Sequence, residues 1–199
     1  MKWVVIDYGE VVCRRPPKDV AARLPALLGA QPGPFWDAYW SQRRAYDLGA
    51  VDAARYWDQV CGYLGHVAST DLLDTLIGLD LDMWSHLDPG TLRVLADLTA
   101  KRVPLALLSN APLELARDIE RRPWARLFRR RFFSADLSLV KPDPRIYRHV
   151  SDALATAPGD LVFVDDRQEN IDGALEAGFR AHLFTGADRL RHDLELPAA

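Results

Sequence analysis

The sequence predicts a doubly wound α/β fold: a parallel, Rossmann-like sheet wrapped by helices, with a small all-helical unit inserted after the first strand. Three observations predict it: short, nearly continuous apolar runs, helix signals between them, and a strand-free stretch over residues 14–85. Continuous rather than alternating apolar runs suit strands covered on both faces, as parallel strands are. Regular alternation of such strands with helices gives the doubly wound class.

The elements follow in order. Trp3-Val4-Val5-Ile6 reads as a strand ending at Asp7-Tyr8-Gly9. Helical patterns then cover 20–28, 34–46, 52–63 and 70–76, broken at Gly29, Gly49 and Gly65. Trp36, Trp40, Trp57 and Trp84 all fall in this stretch, which reads as a helical cap over 14–85 on a core made of 1–13 and 86–199. Arg43, Tyr46 and these tryptophans belong either to the core of that unit or to a surface facing a ligand. Asp88-Pro89-Gly90 opens a helix carrying Leu92, Leu95, Ala96 and Leu98 at helical spacing. A strand at 105–108 runs into Ser109-Asn110, and a short one at 131–133 precedes Val140-Lys141-Pro142. At Asp143-Pro144, Asp caps free amides and Pro at the first helical position loses no hydrogen bond. That helix presents Ile146, Tyr147 and Val150 on one side. A strand at 161–164 runs into Asp165-Asp166, a helix follows over 168–177 with Gly178 as its cap, and a strand at 181–184 completes the sheet.

A chain of 199 residues can bury one core plus a small lobe. With 49% apolar and 27% charged residues it reads as soluble and globular. A net charge of −3 supplies no field toward nucleic acid or an anionic membrane. No apolar run approaches the roughly 20 residues of a membrane helix, and no signal-peptide pattern follows Met1, so the expected location is cytoplasmic. Cys13 and Cys61 lack metal-ligand spacing and read as reduced, packed thiols. The basic and aromatic run over 121–131 reads as an exposed edge packed through Trp124, Leu127 and Phe128, rather than as a nucleic-acid surface. The histidines are scattered and take no role, and nothing in the chain fixes its oligomeric state.

Ligands of open α/β sheets bind outside the carboxyl ends of the strands. Those ends here carry Asp7, Ser109-Asn110 and Asp165-Asp166, with Lys141 in the loop after the short strand. Carboxylates gathered at one edge repel, and they take up protons or bind a cation. Hard oxygen ligands at a partly open site suit Mg²⁺, which also accepts phosphate oxygens. Ser109, the amide of Asn110 at an expected helix amino terminus, and the Lys141 ammonium suit a phosphate. Asp7 would then attack phosphorus and form an acyl-phosphate. Asp166 reads as the direct metal ligand, and Asp165 as a shared or supporting one.

Asp7-x-Gly9-x-Val11-Val12, Leu108-Ser109-Asn110, Lys141-Pro142, and Val164-Asp165-Asp166 with Asn170 and Gly173 resemble the four ordered motifs of haloacid dehalogenase-like hydrolases. The stretch from Tyr46-Asp47-Leu48-Gly49 through Tyr56-Trp57 is similar to the helical cap of a subgroup with bacterial glucose-1-phosphate phosphatases and the amino-terminal phosphatase domain of epoxide hydrolase. The resemblance implies a Mg²⁺-dependent phosphatase acting on a small phosphate ester, with a sugar phosphate as one candidate. It also implies a metal site of Asp7, the Gly9 carbonyl, Asp165 and Asp166. The chain departs from the pattern at Gly9, where most phosphatases of the superfamily carry an acid–base Asp. Such help is worth roughly 10²–10⁴-fold, and Glu10 is the neighbouring candidate to supply it. Two alternatives remain: a dehalogenase attacking carbon on the same fold, and a non-catalytic phosphate-binding module.

Overall fold

The computed structural model describes residues 3–195; residues 1–2 and 196–199, assigned to the core from sequence, lie outside them. In chain order the elements are β1 (Trp3–Ile6), α1 (Lys18–Leu27), α2 (Pro32–Asp47), α3 (Ala53–Tyr63), α4 (Thr70–Met83) and α5 (Pro89–Ala100). Then come β2 (Leu105–Ser109), α6 (Leu113–Arg121), a 3₁₀ turn (Pro123–Leu127), β3 (Arg130–Phe133) and α7 (Ser134–Leu137). The chain continues through α8 (Pro144–Ala153), β4 (Leu161–Asp165), α9 (Gln168–Glu176), β5 (Arg180–Leu183) and α10 (Ala187–Asp193).

The sheet is parallel throughout, in the order β3-β2-β1-β4-β5. Side chains alternate across it as strand geometry requires. Val4, Ile6, Leu105, Leu107, Val162 and Val164 join one core cluster with residues of α5, α6 and α10. Val5, Ala106, Leu108 and Phe163 join the opposite one with α8 and α9. Each fully buried aliphatic side chain contributes about 2 kcal/mol, which is why the three central strands read as unbroken apolar runs. β5 differs: it is an edge strand with Arg180 and Leu183 exposed.

β1 is central, and Ile6 lies level with Leu107 on one side and Val164 on the other. The residue after it, Asp7, donates its amide to the Val164 carbonyl (2.9 Å) and so comes level with the ends of both neighbours. From β1 the sheet grows first toward β2 and β3, and later toward β4 and β5. That reversal leaves a crevice at the carboxyl ends of β1, β2 and β4, where ligands bind in such sheets.

The sequence-derived caps form. Asp88 accepts from the Thr91 amide, and Asp143 from the Arg145 amide. Gly178 (φ +85°) ends α9 with paired bonds from Gly178 and Phe179 to Leu175 and Ala174. One helix is longer than its sequence pattern predicts. α4 runs past residue 76 to Met83, because Asp80, which looks like a solvent residue, is buried against Arg43 and Tyr39. The helix expected directly after Ser109 begins only at Leu113, with Pro112 at its cap.

Helices α1 to α4 share a core of their own, in which Leu24, Phe35, Tyr39, Tyr56, Trp57, Val60 and Leu76 are fully buried. The chain enters and leaves this unit along adjacent paths: Arg14 donates to the His86 carbonyl and Asp88 to that of Val12, both at 2.8 Å. Trp84 packs against the sheet cluster and the helical cluster alike. The 121–131 run packs as expected, with Trp124 stacked on Tyr8 and edge-on to Phe128. Cys13 and Cys61 are buried free thiols. Among the described residues, no helix is long and apolar enough to cross a membrane.

Candidate active site

Asp7, Asp165 and Asp166 converge at the crevice, each offering a carboxylate oxygen within 4.8 Å of the others. Lys141 joins them from the loop after α7. Its ammonium lies 2.7 Å from Asp7 Oδ1, 2.6 Å from Asp165 Oδ2 and 3.1 Å from the Leu108 carbonyl oxygen. An ammonium has three protons to donate, and these three acceptors match them. Asp165 is wholly buried, and its other oxygen accepts from the Arg167 amide and from Asn170 Nδ2, both at 2.9 Å. Asp166 is half-buried, and α9 starts after Arg167, whose side chain makes no cap bond.

Local sequence accounts for this placement. Gly173 in α9 packs so tightly on the Lys141-Pro142 loop that an added Cβ would lie 2.8 Å from the Pro142 carbonyl oxygen and 3.1 Å from the Tyr147 ring. Asn110 clamps the same loop from the other side. Its Oδ1 accepts from the Lys141 amide (2.9 Å) and its Nδ2 donates to the Lys141 carbonyl (3.1 Å). Both polar ends of that side chain are thus engaged in holding Lys141. Ser109 ends β2, nearly buried, and lines the cavity.

Burial dominates the electrostatics. It pushes the Asp7 carboxyl up to about 7, although the attraction of Lys141 opposes it and exceeds the repulsion from Asp165 and Asp166. Burial, then Asp165 and Glu10, pushes Asp166 up to about 6. Desolvation works against the Lys141 charge, but Asp165 and Asp7 outweigh it and raise the ammonium above its ordinary value. The site therefore carries more negative charge than it can hold without a proton or a cation. The cluster offers carboxylate oxygens, and among the described residues no thiol or imidazole joins them, a set that hard divalent cations prefer.

Above these groups opens a cavity of about 630 Å³, reached by Asp7, Gly9, Ser109, Lys141 and Asp166 from below and by α2 and Trp84 from above. Gly9 lies under Trp84: a Cβ there would sit 3.5 Å from the indole Cζ3, an ordinary contact. Glu10 lines the cavity with its backbone in the left-handed region (φ +52°), and its Oε2 is tied to Arg15 at 3.0 Å. Arg43 is buried in a network with Asp47 (2.8 Å), Asp80 (3.2 Å) and the Tyr39 hydroxyl. Tyr46 is buried too, donating to Glu114 across to α6 (2.9 Å). Asp47 was missed in the sequence as a cavity residue; its position four residues after Arg43 was the available signal.

A family profile of haloacid dehalogenase-like hydrolases matches residues 18–178, most of the chain. This chain belongs to that family. The hydrolase is 43% identical over 54 residues to flavin mononucleotide hydrolase 1 of Arabidopsis thaliana, a match covering 27% of this chain and 22% of that protein. It is 35% identical over 68 residues to drimenol cyclase of Aspergillus calidoustus, covering 34% and 13%. The matches thus span less than a quarter of each of these curated relatives. Among solved structures, a family member from Bacteroides thetaiotaomicron in its magnesium complex superposes with a TM-score of 0.80 at 17% identity over 98% of both chains. A dehalogenase with an intermediate complex gives 0.74 at 18% identity, over 100% of this hydrolase and 98% of that chain. At such identities these likenesses establish the fold.

Proposed function

We propose that the hydrolase is a phosphatase that cleaves small phosphate monoesters through an aspartyl-phosphate on Asp7, with residues 14–85 serving as a cap over the site. The observation that carries this reading is the convergence of Asp7, Asp165 and Asp166 on one point beside a buried ammonium. A metal-independent attack on carbon has no need of Asp166 in that group.

Asp7, Asp166 and the Gly9 carbonyl would hold Mg²⁺, with Asp165 anchoring Lys141; when bound, the metal supplies charge neutralisation for the phosphoryl oxygens. Ser109 and the main chain of Asn110 would receive the phosphate, since the Asn110 side chain is committed to Lys141. An Asp7 oxygen forms the new bond to phosphorus as the bond to the ester oxygen breaks. Lys141 favours the ionised form of Asp7 and aims it, and offsets charge on the transferring group. The departing oxygen takes its proton from water. Water then cleaves the acyl-phosphate, returning Asp7 and releasing orthophosphate.

The test is phosphate release from a panel of monoesters, with and without a chelator. Turnover is expected to vanish in chelator and return with Mg²⁺. Halide release from 2-haloacids in chelator would instead select the dehalogenase reading.

Proton competition sets a pH dependence. With Asp7 near 7 and Asp166 near 6 in the metal-free protein, both are largely protonated below those values. Mg²⁺ must displace these protons, so its affinity should rise through pH 5–8 and weaken by about tenfold per pH unit and proton at the acid end. For the metal-free fold the sign follows from a raised acid: between its ordinary 3.8 and about 7, Asp7 binds more proton folded than unfolded. Stability should therefore fall as pH rises across that window, and the Tm gain from Mg²⁺ should grow. Calorimetric titration and melting curves at each pH check both; a pH-independent Mg²⁺ affinity would count against a carboxylate site.

Gly9→Asp is expected to accelerate cleavage of basic leaving groups, because a Cβ fits beneath Trp84 and the new carboxyl can protonate the departing oxygen. The gain in kcat/KM should be about tenfold or more for glycerol 3-phosphate and near nothing for nitrophenyl phosphate, whose leaving group needs little protonation. Equal gains for the two esters would argue against an acid role.

A further inference from the structure

The cavity of about 630 Å³ is far larger than a phosphate needs and lies in the range of sites for whole small molecules. Its roof is one stripe of α2: Trp40, Arg43, Arg44 and Asp47 all line it, and spacings of three, four and seven residues place them on one helix face. Within the stripe, Arg43 is buried and bonded to Asp47, which is partly buried. Trp40 is different. It is 53% exposed, while Trp36 and Trp57 of the same unit pack into or against its core. Its ring meets Tyr39 (4.8 Å between centroids, 84°) and Trp84 (6.4 Å, 83°) edge to face, contacts that fix its orientation and leave much of it open. Trp84 in turn lies over Gly9, two residues from Asp7. A continuous path of Gly9, Trp84 and Trp40 thus leads from the nucleophile to an open indole.

We propose that Trp40 determines specificity for the leaving group, and that the substrate is a phosphate monoester of an alcohol bearing a planar ring, which stacks on the indole. The inference rests on the phosphatase reading. A large apolar ring facing an active cavity recovers its exposure when a flat ring covers it, and aromatic stacking of this kind tolerates differences in ring identity.

The experiment compares flavin mononucleotide and adenosine 5′-monophosphate with glycerol 3-phosphate, all esters of primary alcohols with similar leaving groups. The parent should favour the two ring-bearing esters in kcat/KM. Trp40→Ala should lower the ring to ring-less ratio by about tenfold, through KM rather than kcat. Trp40→Phe should keep most of the ratio, and Trp40→Leu, apolar but not aromatic, should lose it as Ala does. An unchanged ratio in Trp40→Ala, or rescue by Leu equal to that by Phe, overturns the proposal. If the parent hydrolyses no ester, the phosphatase reading fails by itself. The stacking site is then judged by calorimetry on Asp7→Asn with the same compounds. A tenfold fall in the affinity ratio of flavin mononucleotide to glycerol 3-phosphate on adding Trp40→Ala supports it, and equal affinities overturn it.

Discussion

Asp7→Asn is expected to abolish turnover while leaving the protein as stable as before, or more so. The amide keeps the shape of the side chain but has no charged oxygen to attack phosphorus. Loss of a covalent nucleophile costs on the order of 10⁴-fold or more in kcat. The stability side follows from the electrostatics. Asp7 is buried, and that burial, which the Lys141 charge offsets only in part, lifts its pKa to about 7. Ionising it near neutrality works against the fold, and Asn removes that cost. A residue there for structure alone would behave in the opposite way, since removing a partner 2.7 Å from Lys141 would destabilise. Single-turnover kinetics and melting curves in chelator, at pH 6 and pH 8, separate the two. Retention of a large part of the activity would exclude covalent catalysis through Asp7. A drop in Tm at pH 8 would assign the residue a structural role instead.

Lys141→Met is expected to fail on both counts. The ammonium satisfies Asp7, Asp165 and the Leu108 carbonyl at once, and almost none of it reaches solvent. Methionine fills similar space but leaves Asp165, wholly buried, without its counter-charge. Breaking a buried pair from one side costs about 3–5 kcal/mol, and a chain of this size loses roughly 2–4 °C in Tm for each kcal/mol. Proton uptake by Asp7 would soften the loss at low pH, so the deficit should widen as pH rises. Lys141→Arg should not rescue activity, because a planar guanidinium cannot direct donors at three acceptors set around a single point. Unaltered Tm at pH 8 in Lys141→Met would mean that the buried carboxylates are neutralised by something else.

The legible part of this protein was the part written locally. Apolar runs of four or five residues mark strands, because burial on both faces demands it, and Asp-Pro and Gly pairs mark helix ends, because orphan backbone groups there need partners. From those signals and the order of Asp7, Ser109, Lys141 and Asp165-Asp166, the sheet and the composition of its carboxyl edge could be inferred without coordinates. The register then delivered Asp7 to the centre, level with both neighbours. The far end of α4 was illegible because Asp80 looks solvated until Arg43, 37 residues earlier, is seen to neutralise it.

Roles within the site depended on neighbours that no local pattern specifies. Asn110 resembles a phosphate ligand in sequence, yet its side chain closes on the backbone of Lys141, 31 residues away. Asp165 and Asp166 are adjacent in the chain but opposite in character, the first wholly enclosed by Lys141, Asn170 and an amide, the second half-open to the cavity. Arg43, Tyr46 and the tryptophans divided likewise: Arg43, Tyr46 and Trp57 went into packing, and Trp40 was left open above the cavity. Sequence by itself determined which residue types stand at the strand ends, because hydrophobic periodicity and capping act over a few residues. The tertiary structure decided which of them hold one another and which face a ligand, because desolvation and charge pairing depend on where distant segments pack.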